Sequence, residues 1–309
     1  MRRFLKHSAL FLILVILSSY IVLYMADGKT DMFYLRFTSS KKSSLIVGSS
    51  RSAQALQPMV LNKELTDAKF YNYSFSLLHS PYGEAYYRSI KNKLDEASTG
   101  GRFLVSVDPW VISSKTSDPN DSLNFRELGS FIDKVDYVNY RPNFEYFIES
   151  FSERKMKIFT NKNRVGQYET SLLHDDGWLE VDLHLDSLGL AALRANKMNA
   201  YKDKLREYSG FSTVRFSYLN KIIELFKKHG TVYLVRLPVC DEMQDLEAEL
   251  IPDFNSKMET LASEHSIHYL NMMNDWQRYS YTDGHHLERH SGAEFSKMIA
   301  KKIRELENE

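Results

Sequence analysis

The sequence predicts an α/β fold, a parallel sheet with helices on both faces, held at its N-terminus by one transmembrane helix. Three observations carry this prediction. An uncharged apolar run lies near the N-terminus, short apolar runs alternate with helical stretches further on, and turn segments bearing Ser, Asp and His follow several of those runs.

The apolar run is SALFLILVILSSYIVLYM, residues 8–25, preceded by Arg2, Arg3 and Lys6. As a helix it would be roughly 27 Å long, about the thickness of a hydrocarbon core. The basic cluster before it and the mixed flank after it (Asp27, Lys29, Asp31) place the N-terminus in the cytoplasm and the rest outside by the positive-inside rule. A cleaved signal peptide is the competing reading, but the run is longer than such a core and a cut after Ala26 would put bulky Tyr24 at the −3 position. Residues 1–27 are therefore read as a cytoplasmic stub and anchor, 28–42 as a spacer and 43–309 as the folded domain.

Within that domain, strands are expected at 44–50, 69–75, 102–110, 231–239 and 267–272, the third stopped by Pro109, which cannot continue a ladder. Helices are expected at 52–66, 82–96, 214–229, 242–264 and 289–306. The rhythm is lost between about 111 and 213, which reads as a helix-like insertion without strong strands. Alternation of this kind argues for a parallel sheet whose ligand lies at the carboxyl ends of the strands. Three segments should gather there: 48–52, 108–110 and 283–286.

Composition narrows the function. Of 309 residues, 43% are hydrophobic and 26% charged, so a core of ordinary size is expected. Lys plus Arg equals Asp plus Glu at 40 each, which speaks against nucleic-acid binding by bulk charge. The 19 Tyr and 18 Phe can stack on sugars or simply fill a core. A single cysteine, Cys240, excludes an internal disulfide and a cysteine-rich zinc site.

In GSSRS (48–52), a sharp strand-to-helix turn would expose a serine hydroxyl and aim backbone N–H groups at the same spot, as an acyl-transfer nucleophile needs. The plainer reading is a helix N-cap. In YTDGHHL, Asp283 and His286 are three residues apart, so the carboxylate can orient an imidazole from within one loop, with Gly284 allowing the turn. The adjacent histidines could alternatively bind a metal, but no third and fourth ligand with suitable spacing is evident. Arg51 and Arg236 could each hold a carboxylate or phosphate, with surface salt-bridging the plainer reading for both, less readily for Arg236 inside an apolar run. The segment HDDGWLEVDLH (174–184), with Trp178, suits carbohydrate contact, a lid or a plain loop.

Together, Gly48-Ser49-Ser50 after the first strand and Asp283-Gly284-His285-His286 near the C-terminus resemble the SGNH/GDSL hydrolase superfamily. Within it the chain looks most like a membrane-anchored envelope branch that includes proteins of alginate acetylation and of teichoic-acid D-alanylation. The likeness lies in the single anchor, the GSSR turn, the VDPW strand end and the DGxHL tail. It implies a three-layer α/β/α domain with a flavodoxin-like five-stranded sheet over 43–309, Ser50 as nucleophile, His286 as general base and Asp283 as its orienting carboxylate. It further implies an O-acyl esterase or O-acyltransferase on an envelope polysaccharide, a membrane acyl-donor partner in the transferase case, no cofactor, and a place on the bacterial cytoplasmic membrane facing outward. The middle blocks depart from the pattern. YNYSFS lacks the second-block glycine, and Asp108 stands near where a neutral donor is expected, although an ionised carboxylate cannot donate. Asn72, with Ser74 beside it, could replace that donor, so the departures leave either a rearranged oxyanion hole or a weakened catalyst. A non-catalytic envelope scaffold or polysaccharide-binding protein on the same fold is the alternative.

Overall fold

The structure, a computed structural model, describes residues 1–149, 158, 164–165 and 169–308. Helix α1 (Arg2–Tyr24) has 23 residues, none buried, and an 18-residue stretch within it has a mean hydropathy of 2.1, so it is long and apolar enough to cross a membrane.

The strands described are β1 (Ser44–Val47), β2 (Phe70–Asn72), β3 (Gly101–Ser106), β4 (Arg164–Val165), β5 (Glu169–Leu173), β6 (Leu179–Leu183), β7 (Gly230–Arg236) and β8 (His268–Asn271). Five of them form a wholly parallel sheet in the order β2-β1-β3-β7-β8. Chain direction across the sheet reverses between β1 and β3, which opens a crevice at their carboxyl ends. Alternate side chains feed two cores. Leu45, Val47, Phe103, Val105, Val232 and Leu234 face one side. There they meet α4 (Glu84–Lys93), α7 (Thr213–Lys227), α8 (Asp241–Leu250) and α9 (Phe254–His265). Ile46, Leu104, Tyr233 and Val235 face the other, against α2 (Ser50–Ala55), α3 (Pro58–Glu64) and α10 (Arg289–Glu307). Burial on both faces is why these strands read as continuous apolar runs.

Two expected helices are each split by a proline. Pro58 holds Gln57 in an extended conformation between α2 and α3, and Pro252 lies between α8 and α9. The second strand is shorter than expected, and the third ends at Ser106 rather than 110.

The 111–213 stretch is not strandless. It contains the antiparallel sheet β4-β5-β6 besides helices that include α5 (Phe144–Glu149) and α6 (Ser187–Glu207); residues 150–157, 159–163 and 166–168 of the stretch lie outside the described set. The β5–β6 turn caps the outer end of β2. Asn72 N–H donates to Asp176 O (2.9 Å), and Trp178 Nε1 donates to Gln54 O (2.8 Å). Arg36, fully buried, donates from Nη2 to Gly177 O (2.6 Å) and from Nε to Asn72 O (3.0 Å). An edge strand left open would invite pairing with another chain. Trp178 is buried and stacked on His174, so its ring serves this cover and is not presented to a sugar.

Candidate active site

Gly48 follows β1 with φ +149°, and a Cβ there would lie 2.6 Å from Ser106 Cβ. Only glycine lets the chain pass this close to β3 and turn at once into α2. Tyr86 braces the turn, accepting from Gly48 N–H (3.0 Å) and donating to Tyr73 O (2.7 Å). Ser49 is left extended and Ser50 opens the helix, its side chain only partly buried.

The second half of the site comes from the loop after β8. Gly284 has φ +89°, and its carbonyl accepts from Cys240 N–H (2.9 Å), tying the loop to the start of α8. Asp283 Oδ1 accepts from the backbone N–H groups of His286 (3.0 Å) and His285 (3.3 Å), and its Oδ2 lies 2.9 Å from His286 Nδ1. A carboxylate only accepts, so Nδ1 carries the proton and Nε2 is left with a lone pair. That Nε2 lies 2.8 Å from Ser50 Oγ. Two loops 236 residues apart in sequence thus form one chain of hydrogen bonds, Ser50–His286–Asp283.

Burial would raise the Asp283 carboxyl, but the His286 and His285 imidazoles beside it hold it well below the usual carboxylate range. Lys197 of α6 adds a cation 3.1 Å from Oδ2. His285 is buried between Asp283 and Tyr201, whose hydroxyl is 3.3 Å from its Nε2. Its Nδ1 comes within 3.0 Å of Asp283 Oδ1 but at an angle that leaves the hydrogen bond unmade. Burial, reinforced by His286, pushes His285 well below the ordinary histidine value, so it is neutral in the fold.

This has a consequence for stability. Below the free histidine value of roughly 6.5 the unfolded chain takes up a proton that buried His285 refuses. Stability is therefore full above that pH and falls as pH drops; His79, pushed down to about 4 by burial, acts in the same direction. The thermal midpoint of the wild-type protein should fall more steeply from pH 7 to pH 5 than that of His285→Gln. Parallel curves in a fluorimetric melt would contradict the assignment of a buried neutral His285.

Behind the turn lies a buried ionic cluster. Glu247 of α8 bridges Arg51 (Oε1 to Nη1, 2.5 Å) and Arg236 (Oε2 to Nη2, 3.0 Å). Arg236 also bonds Asn255 and lies over the Phe254 ring. Both arginines, read from sequence as anion-binding candidates, thus have an internal partner, and Arg236 is not among the residues lining the space beside Ser50. Asp108 accepts from Trp110 and Val111 N–H at the start of the short helix Pro109–Ile112. Its Oδ2 lies 3.4 Å from Ser49 Oγ and 3.9 Å from Arg51 Nη1. Burial raises the Asp108 carboxyl despite Arg51.

Asn72 does not offer the donor expected of it. Its amide hydrogens go to Ser52 O and Leu56 O, each at 2.8 Å, which fixes the end of α2 to β2. Ser74 likewise lies behind the turn, 3.0 Å from Ser52 Oγ. Neither lines the hollow beside Ser50, which Ser49, Arg51, Leu77, Asp108, Trp110, Tyr201 and His285 enclose with Ser50 itself, at about 10 Å³. That is room for about one water-sized oxygen. Arg51 Nη2 and Trp110 Nε1 are buried and have no hydrogen-bond partner among the described residues.

Glu247, Lys197 and Tyr201 were missed as site residues, and His285 was read only as a possible metal ligand beside His286. Glu247 had a signal in the sequence, since it shares a helix face with Met243, Leu246 and Leu250, and a lone carboxylate on an apolar stripe calls for a buried partner. Asp283, His285 and His286 also bring three ligand atoms within 4.8 Å of one another. A cation there would compete with the bonds that link Asp283, His286 and Ser50.

Fold and site together define a doubly wound α/β protein carrying a Ser–His–Asp hydrogen-bond chain at the carboxyl ends of its strands. No family model matches the chain, and no curated protein matches it either.

Proposed function

We propose that the protein is an extracytoplasmic serine O-acyl esterase or O-acyltransferase of SGNH type, acting on a cell-envelope polysaccharide from the outer face of the bacterial cytoplasmic membrane. The observation that carries the chemistry is the 2.8 Å contact between Ser50 Oγ and His286 Nε2, with Asp283 on the other ring nitrogen. A serine hydroxyl is a poor nucleophile until a base so placed takes its proton. The polysaccharide and the outward orientation rest on the resemblance of the GSSR and DGHHL segments and on the basic residues before α1.

In this reading Ser50 Oγ attacks the ester carbonyl carbon as His286 Nε2 takes its proton and Asp283 stabilises the imidazolium. The oxyanion needs donors, and with Asn72 committed elsewhere those at hand are the backbone N–H groups opening α2 and the Nη2 of Arg51. His286 returns the proton to the leaving alkoxide, leaving acyl-Ser50. Water or a sugar hydroxyl, deprotonated by His286, then releases the acyl group.

A fluorophosphonate tests the activated serine directly, because Ser50 Oγ displaces fluoride from phosphorus as His286 takes the proton. The full-length protein in detergent should carry one adduct, on Ser50, and His286→Ala should lose it. A well-folded sample that remains unlabelled would argue against acyl transfer and for a binding role.

A further inference from the structure

Helix α1 does not leave the domain as a free tether. Arg141 stacks over the Tyr24 ring (5.0 Å to its centroid) and donates to Ala26 O (3.4 Å). One turn earlier in the helix, Tyr20 packs on Phe144 with ring centroids 6.2 Å apart. Tyr20 precedes Tyr24 by four residues, so Phe144 sits about 6 Å down the helix axis from its outer end, at 1.5 Å per residue. With α1 across a bilayer, that depth is the edge of the hydrocarbon and not the water above the headgroups.

The residues around Phe144 suit that depth. Tyr137, Tyr140 and Ile148 are 59%, 57% and 78% exposed, and Phe144 is 48% exposed. Large apolar and aromatic side chains rarely cluster in water without a partner. Tyr20, Tyr137, Tyr140, Arg141 and Phe144 line a groove of about 530 Å³ beside the helix. Tyrosines with an arginine among them are the composition of a membrane interface, where the ring enters the acyl boundary and the cation meets lipid phosphate.

We propose that the 137–148 edge is a membrane footing. Tyr137, Tyr140 and Phe144 enter the outer interface of the bilayer that α1 crosses, Arg141 contacts lipid phosphate, and the domain is held in one orientation over the surface. The occupant is lipid, because the patch is continuous with the lipid-facing side of α1 at the same depth. The inference rests on α1 as a transmembrane anchor and is independent of the chemistry at Ser50.

The test uses the full chain, whose one cysteine is buried, with single cysteines introduced as Leu14→Cys, Tyr140→Cys, Phe144→Cys and Glu259→Cys. Each is labelled with an environment-sensitive nitrobenzoxadiazole dye in phosphatidylethanolamine–phosphatidylglycerol vesicles. Glu259 is exposed on α9, beside β8 at the sheet edge opposite β2. Labels at Tyr140 and Phe144 should shift to the blue and be quenched by lipids spin-labelled near the headgroup, and the label at Glu259 should do neither. Quenching at Leu14 by lipids spin-labelled deep in the chain, with Tyr140 and Phe144 behaving like Glu259, would overturn the footing alone. An unquenched Leu14 would remove the transmembrane anchor, and the footing with it.

Discussion

Asp283→Asn should slow acylation of Ser50 by about 10⁴-fold, the size of loss such a change causes in a Ser-His-Asp site. The reason lies in how Asp283 is held. Its Oδ1 accepts two backbone N–H groups, from His285 and His286, and those donors will keep an asparagine's carbonyl oxygen at that place. The NH2 group is then turned toward His286 Nδ1, where only an acceptor belonged. His286 must answer with a lone pair on Nδ1 and its proton on Nε2, the nitrogen 2.8 Å from Ser50 Oγ. A protonated Nε2 cannot take the serine proton. The rate of fluorophosphonate labelling, with hydrolysis of 4-nitrophenyl acetate as a second readout, measures the loss. A variant that folds normally and reacts at the wild-type rate would remove Asp283 and His286 from the mechanism.

Glu247→Gln should have the largest effect on stability, about 3–5 kcal/mol, the usual cost of breaking a buried ion pair from one side. Glu247 is fully buried and Arg51 and Arg236 nearly so. Neutralising the carboxylate between them leaves two guanidiniums out of water, with Asp108, 3.9 Å from Arg51, the remaining carboxylate within 4 Å of either among the described residues. Burial raises that carboxyl, so it is a poor replacement. Glu242→Gln is the control: Glu242 pairs with Arg194 at the surface, half exposed, where an ion pair contributes under about 1 kcal/mol. Denaturant midpoints of the two variants in detergent should separate clearly. If Glu247→Gln unfolds with the wild type, the Arg51–Glu247–Arg236 cluster is not a stabilising element. Because Arg51 also lines the hollow beside Ser50, labelling of any folded Glu247→Gln protein reports whether the cluster also aims that side chain.

Much of this was legible along the chain. Parallel strands buried on both faces appear as unbroken apolar runs, and SLIV, FLVS and VYLVR were found for that reason. The spacing of Asp283 and His286 is local, and a glycine with positive φ between them makes the turn, so that half of the site could be proposed from five consecutive residues. The lengths of elements were less legible where a proline or an edge intervened. Pro58 and Pro252 each divide a stretch whose periodicity alone suggests one helix. The β5–β6 hairpin is hard to read along the chain because it is half-exposed and polar, and the β2 edge that its turn bonds to is distant in sequence.

By itself, the sequence determined that the chain is an α/β protein with one apolar helix long enough to cross a membrane, and it singled out Ser50, Asp283 and His286. The fold class rests on periodicity and the pairing of Asp283 with His286 on neighbours a few residues apart, which are properties of the chain alone; Ser50 was picked from the serines of its turn by the resemblance to the SGNH/GDSL pattern. Only the tertiary structure decided what Asn72, Arg51 and Arg236 do. An amide or a guanidinium satisfies whichever partner the fold brings within about 3 Å. Here those partners are Ser52 O and Leu56 O for Asn72, and for both arginines Glu247, which is 196 residues from Arg51 and 11 from Arg236. Distances of that kind are set by the packing of α8 and the β1–α2 turn against the same sheet, and no spacing in the sequence encodes them.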